Sequence, residues 1–315
     1  MRRAAFFMPT KIYNIEITLS PVVECCYKGL GDAGVNKTYL SPKSDIVFKL
    51  LFGDEKSIDI LTDFLKAVLD IPEEDYEDVT IVDPHLLRQY EGDKLGILDV
   101  KVRTKTKKII DIEIQVKPKP NLEKRVVLYL SKMVSEQVGA GIDYSKIQRV
   151  ISIVITDYSL QPNNNKYHNR FSLTNEIGEQ FTDILEVNTL ELSKLPEAED
   201  GTSLWQWMKF LKSENREEFD MIAEKNPAIG KAVVRLAELS QDERARMLFE
   251  SRQMMEWDIA IDKQTARQEG LQEGRQEGVF HVAKKLLEMD MRISSIIAAT
   301  GLTYDEIATL KNADI

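Results

Sequence analysis

Cysteine is nearly absent: the 315 residues contain two, Cys25 and Cys26, and they are neighbours. Adjacent cysteines bridge each other only with strain, so no disulfide framework is expected. Their spacing cannot build a zinc site either. No apolar run approaches the roughly 20 residues of a membrane span. The opening run Ala4-Ala5-Phe6-Phe7-Met8 is stopped by Pro9 before it reaches the length of a secretory signal. These absences fit a reducing compartment, and the chain reads as cytoplasmic with no membrane partner. An excess of positive charge is missing too. Lys and Arg number 42 against 52 Asp and Glu, a net charge of −10. A uniformly basic nucleic-acid binder is excluded, and any DNA contact must come from a local basic patch.

What is present is ordinary for a globular chain, 43% hydrophobic and 30% charged. The length suits one sizeable α/β domain with a helical extension, or two modest domains. Residues 1–37 show no sustained periodicity and read as a leader: an extra strand, a disordered segment or an upstream start codon wrongly chosen. A helix capped by Ser44 or Asp45 runs to about Gly53. A second helix covers 57–69, with Ile60, Leu61, Phe64, Leu65 and Val68 at helical spacing. Strand-like runs follow at 79–87, 97–103 and 109–116, then a helix over 122–138 and an apolar, buried-looking strand at 150–155. The order helix, three strands, helix, strand predicts an α/β fold with a meander and a crossover in a mixed sheet. Residues 159–200 read as a strand-rich insertion, 201–266 as a helical extension, and 267–315 as a Glu-Gly repeat followed by a helix pair. On that division, a chain cut after about residue 200 should keep some activity if the protein is an enzyme and should lose its partners if it is an assembly protein.

The third strand-like run carries the chemistry. In Ile109-Ile110-Asp111-Ile112-Glu113-Ile114-Gln115-Val116, Asp111, Glu113 and Gln115 share one face. In the preceding run, Leu98, Val100 and Val102 face one way and Asp99, Lys101 and Arg103 the other. Neighbouring strands can therefore set Asp99 beside Glu113. Alternation alone favours a solvated outer face, but three features outweigh it. The apolar strand at 150–155 implies a sheet covered on both faces. Clustered carboxylates repel unless a cation lies between them. The following helix has its own polar stripe, Arg125, Tyr129, Lys132 and Glu136. Residues 101–132 also hold ten Lys or Arg against three acids, net +7. Cations for phosphates around acids for metal are what a phosphodiester site needs. The lysines of Thr104-Lys105-Thr106-Lys107-Lys108 fit a solubilising turn equally well.

Tyr39-Leu40-Ser41-Pro42-Lys43-Ser44-Asp45-Ile46-Val47-Phe48-Lys49-Leu50-Leu51-Phe52-Gly53 resembles the opening signature of the Rpn family of recombination-promoting nucleases and transposases, within the PD-(D/E)XK nuclease superfamily. The resemblance continues through Leu98-Asp99-Val100, Asp111-Ile112-Glu113-Ile114-Gln115, the Arg125 helix, and Leu190-Glu191-Leu192-Ser193-Lys194-Leu195, over about residues 38–311. It implies a restriction-endonuclease-like αβββαβ core and a Mg2+-dependent DNA endonuclease, Mn2+ able to substitute, linked to recombination or a mobile element. Asp99, Glu113 and the Ile114 carbonyl would ligate the metal. Asp45 would be an additional acid or simply a helix cap. Gln115 stands where the superfamily usually has lysine; it can hydrogen-bond the attacking water but carries no charge. Lys101, on the Asp99 face, or Lys132 could supply that charge, with Arg125, Tyr129 and Lys132 steadying the phosphate. Two other readings remain open: a DNA-binding module with a nuclease fold decayed at Gln115, and an assembly protein working through its acidic helical half.

In the tail, Gly270, Gly274 and Gly278 lie four apart. Each glycine weakens a helix by about 1 kcal/mol relative to alanine, so the segment reads as a hinge or a solvated helix unless a partner packs on it. Residues 292–311 resemble a helix-turn-helix with a capping box at Thr303 and Glu306. Asp305 and Glu306 would repel phosphate there, so a packing or homo-oligomer element is expected.

Overall fold

Apolar spacing builds the first two helices. In α1 (Asp45–Phe52) the buried residues are Val47, Phe48, Leu51 and Phe52; in α2 (Ile58–Val68) they are Ile60, Leu61, Phe64, Leu65 and Val68. Gly53 ends α1 with its N–H on the Lys49 carbonyl. A Cβ at position 53 would stand 2.6 Å from that oxygen, so only glycine closes the helix so tightly. The computed structural model describes residues 39–86, 97–139, 141 and 143–312. The expected leader, with Cys25 and Cys26, lies outside these residues, as does the last residue of the 79–87 run.

Strands β1 (Thr80–Val82), β2 (Val100–Arg103) and β3 (Ile109–Gln115) form an antiparallel meander. Helix α3 (Leu122–Ser135) then crosses over, and β4 (Val150–Thr156) returns parallel to β3. This is the expected αβββαβ core with a mixed sheet. The strand-rich segment 159–200 widens that sheet. Strand β6 (Gln180–Glu191) runs parallel to β4, and β5 (His168–Thr174) pairs antiparallel with β6 at the edge, giving the order β1-β2-β3-β4-β6-β5. Only the last residues of β6 are continuously buried, so its polar first half hides a central strand. The motif at 190–195 holds the loop beyond β4. Buried Glu191 accepts the N–H groups of Leu160 and Gln161, while Lys194 pairs with Glu191 and donates to the Gln161 carbonyl.

Both sheet faces are covered, and all seven residues of β3 and of β4 are buried. On one face Ile110, Ile112, Ile114, Ile151, Ile153 and Ile155 pack under α1 and α2. Helices α4 (Ser203–Lys212), α5 (Arg216–Ala223) and α6 (Pro227–Gln241) complete that layer. Trp207 of α4 is fully buried against Phe52 and Phe64, and its indole N–H donates to Asp63 at 2.8 Å. On the other face Leu122, Val126, Leu130 and Met133 of α3 cover Ile109, Val150 and Val154. Leu98 joins this second cluster, away from Val100 and Val102. The expected alternation across 97–103 therefore breaks, because the chain bends at Asp99 before β2 begins.

Helix α7 (Glu243–Glu288) is 46 residues long, about 70 Å at 1.5 Å per residue. Its beginning packs on α1 and α6, its end carries the last two helices, and the stretch between is solvated. Gly270, Gly274 and Gly278 lie within the continuous helix with open space around them, which is the solvated-helix reading rather than the hinge. Helices α8 (Ile293–Thr300) and α9 (Tyr304–Asn312) close on its end through Ala283, Ile296 and Ile307. The capping box forms: Thr303 N–H donates to the Glu306 carboxylate, and Glu306 N–H to the Thr303 hydroxyl. Among the described residues no helix is long and apolar enough to cross a membrane.

Candidate active site

At the C-terminal end of β3 a cleft of about 580 Å³ opens between α1, the bend at Asp99 and the start of α7. Asp99, Glu113, Ile114 and Gln115 all line it. The bend is what brings Asp99 in. Its Oδ2 accepts the Ile114 N–H at 3.0 Å, taking the place of a ladder carbonyl where β2 has not yet begun. Its Oδ1 stands 3.0 Å from Lys49 Nζ. Glu113 is 3% exposed and meets Arg125 at 2.5 Å. Burial pushes the Glu113 carboxyl up to about 7; the Arg125 guanidinium opposes the shift and the Asp99 charge adds to it. Two positions back on the same strand face, Asp111 is buried more deeply. Burial first, then the neighbouring Glu113 charge, hold it well above the usual carboxylate range, against a 3.0 Å hydrogen bond from Ser152. Its other oxygen has no hydrogen-bond partner among the described residues.

This donor set fits a hard divalent cation. Among the described residues no three His, Cys, Asp or Glu side chains stand together as a metal group. An ion here would rest on Asp99, Glu113, the Ile114 carbonyl and water. Mg2+ commonly binds through one or two carboxylates while keeping several waters. A carboxyl driven towards neutrality by burial gains most from a cation beside it.

The other expected residues divide. Asp45 lines the cleft, but one oxygen accepts the N–H of Ile46 and the other meets Arg252 of α7 at 2.5 Å. Ser44 is the N-cap residue, without a side-chain cap bond. Arg125 lines the cleft, and its guanidinium lies 5.6 Å from the centre of the Tyr129 ring. Neither Tyr129 nor Lys132, two turns along α3 from Arg125, is among the lining residues. Lys101 is also elsewhere. It sits opposite Asp111 in the sheet and its ammonium pairs with Glu136 at 3.0 Å, both ends largely buried.

The basic segment does not wrap the carboxylates as a whole. The turn 104–108 lies at the far end of β3, about 20 Å away over six residues at 3.3 Å each. There Lys108, Thr104 and Thr106 surround buried Asp75, and Lys105 pairs with Glu77. From that segment Lys117, Lys119 and Arg125 reach the cleft. Three residues beyond the sequence argument join them: Lys43, Lys49 and Arg252. Lys49 was detectable in principle, because it lies one helical turn from Asp45 and shares its face. Arg252 carried no signal, being some 200 residues away in the chain.

No curated protein and no solved structure matches the chain significantly. A family model described as PD-(D/E)XK nuclease family transposase matches residues 42–266. That span takes in α1, the whole sheet, α3 and the part of α7 that walls the cleft. The chain belongs to the PD-(D/E)XK nuclease family transposases.

Proposed function

We propose that the protein is a Mg2+-dependent DNA endonuclease that hydrolyses phosphodiester bonds and serves recombination or a mobile element. The observation that carries this reading is the presence of Asp99, from the bend before β2, and Glu113, from β3, in one cleft walled by lysine and arginine. Nucleases of this family typically use a divalent metal. Bound at Asp99, Glu113 and the Ile114 carbonyl, it would supply Lewis acidity and lower the pKa of a water. The chain's own part is positioning. Arg125 and Lys119 take phosphate oxygens. Gln115 orients the water by hydrogen bonding. Water oxygen bonds to phosphorus as the bond to the leaving sugar oxygen breaks, and protons exchange with solvent.

Supercoiled plasmid incubated with Mg2+, Mn2+ or EDTA tests the reading. Metal-dependent nicking is expected from the wild type and a loss of at least about 100-fold from Asp99→Ala and from Glu113→Ala, with circular dichroism unchanged. Undiminished cutting by either variant would end the assignment. The uncharged Gln115 in the cleft favours one second reading, a DNA-binding module whose nuclease site is retired. Binding of plasmid without cutting under any metal selects it.

A further inference from the structure

We propose that Lys49 supplies the positive charge that Gln115 does not, so that the cation of the reaction stands on helix α1 rather than on strand β3. This rests on the hydrolytic reading above. Gln115 offers the site a hydrogen-bonding amide and nothing to balance charge. Lys101, the cation expected to compensate, pairs with Glu136, sits opposite Asp111 in the sheet and is not among the residues lining the cleft. Lys49 is the lysine that meets the site's carboxylate directly, 3.0 Å from Asp99 Oδ1, and it lines the same cleft as Glu113 and Gln115.

The other cations of the cleft have different duties. Lys43 is paired with Asp157 and Glu214, Lys117 with Glu256, Arg252 with Asp45, and Arg125 with Glu113. Lys119 follows β3 in a loop between two prolines and is exposed, which suits phosphate capture rather than fixed geometry. Lys49 differs in its mounting. It projects from a helix whose buried face is part of the main core, and its carbonyl is clamped by Gly53, where no Cβ could fit. Groups on rigid elements hold catalytic geometry better than groups on loops. Its side chain is still 37% exposed, so the ammonium faces the space a substrate would fill. As the water oxygen bonds to phosphorus and the leaving oxygen departs, negative charge grows on the phosphate. The Lys49 ammonium stabilises that charge through its N–H donors.

Exchanging the charge between the two positions tests this. Plasmid nicking in Mg2+ is compared for wild type, Lys49→Gln, Lys49→Arg and the double variant Lys49→Gln with Gln115→Lys, each checked by thermal melting. Lys49→Gln is expected to lose about 100-fold or more, Lys49→Arg to retain most of the rate, and the double variant to regain at least tenfold over Lys49→Gln. A purely structural Lys49 would not be rescued from position 115, so a folded double variant without recovery overturns the proposal. If the double variant does not melt cooperatively, the contrast decides: equal rates for Lys49→Arg and Lys49→Gln overturn the proposal, and a large gap supports it. Near-wild-type nicking by Lys49→Gln removes the Lys49 role and leaves the nuclease reading standing. A wild type that cuts under no metal removes both.

Discussion

Glu113 carries an electrostatic conflict that can be measured without any substrate. A glutamate titrates near 4.5 when unperturbed, and burial holds Glu113 to about 7 in the folded chain. Between those values the native state keeps a proton that the unfolded state has released. Its contribution to stability is therefore unfavourable once pH rises through about 4.5 to 7, and absent below that window. Glu113→Gln buries no charge. Without metal, we expect the variant to be more stable than wild type at pH 8, by about 1–3 kcal/mol, and equal to it near pH 4. Urea unfolding at the two pH values reads the difference. A gap that does not change with pH would mean that Arg125 fully compensates the buried charge.

At the scale of elements, the strand β3 separates two basic groups that are continuous in the chain. Lys105 and Lys108 of the turn at one end pair with Glu77 and Asp75, whereas Lys117, Lys119 and Arg125 at the other end line the cleft. Duplex DNA binding in Ca2+, followed by fluorescence anisotropy across salt concentrations, should separate them. Lys119→Gln is expected to weaken binding several-fold and to lower the salt slope by about 1. Lys105→Gln combined with Lys107→Gln is expected to change neither. Matching losses at both ends would place DNA along the whole strand instead. The alternation of β3 was legible because strand side chains alternate strictly. The bend at Asp99 was not, since it depends on Asp99 replacing a ladder partner for Ile114.

For the whole molecule, helices α4 to α6 and the start of α7 share the main hydrophobic core with α1, α2 and the sheet. The expectation that a chain cut after about residue 200 keeps some activity conflicts with the packing. Such a cut removes Trp207, fully buried, from between Phe52 and Phe64. It also removes Phe249, Arg252 and Glu256 from the cleft wall. We expect residues 1–200 to lose cooperative melting and cleavage, and residues 1–266 to keep both. A folded, active 1–200 fragment would show these helices to be accessory. The solvated part of α7 with its glycines, and the α8–α9 pair, lie beyond that second cut.

The sequence by itself determined the local and periodic features: both opening helices, the αβββαβ order, the two-sided cover of β3 and the capping box. Each follows from side-chain period or from residues near one another in the chain, where the physics is local. Only the tertiary structure decided which charges meet. It withdrew Lys101 to Glu136, sent Lys108 and Lys105 of the turn to Asp75 and Glu77, made β6 a central strand, and brought Lys49 and Arg252 into the cleft. Ion pairing depends on distance in space, which neither periodicity nor the running sum of charge along a chain encodes.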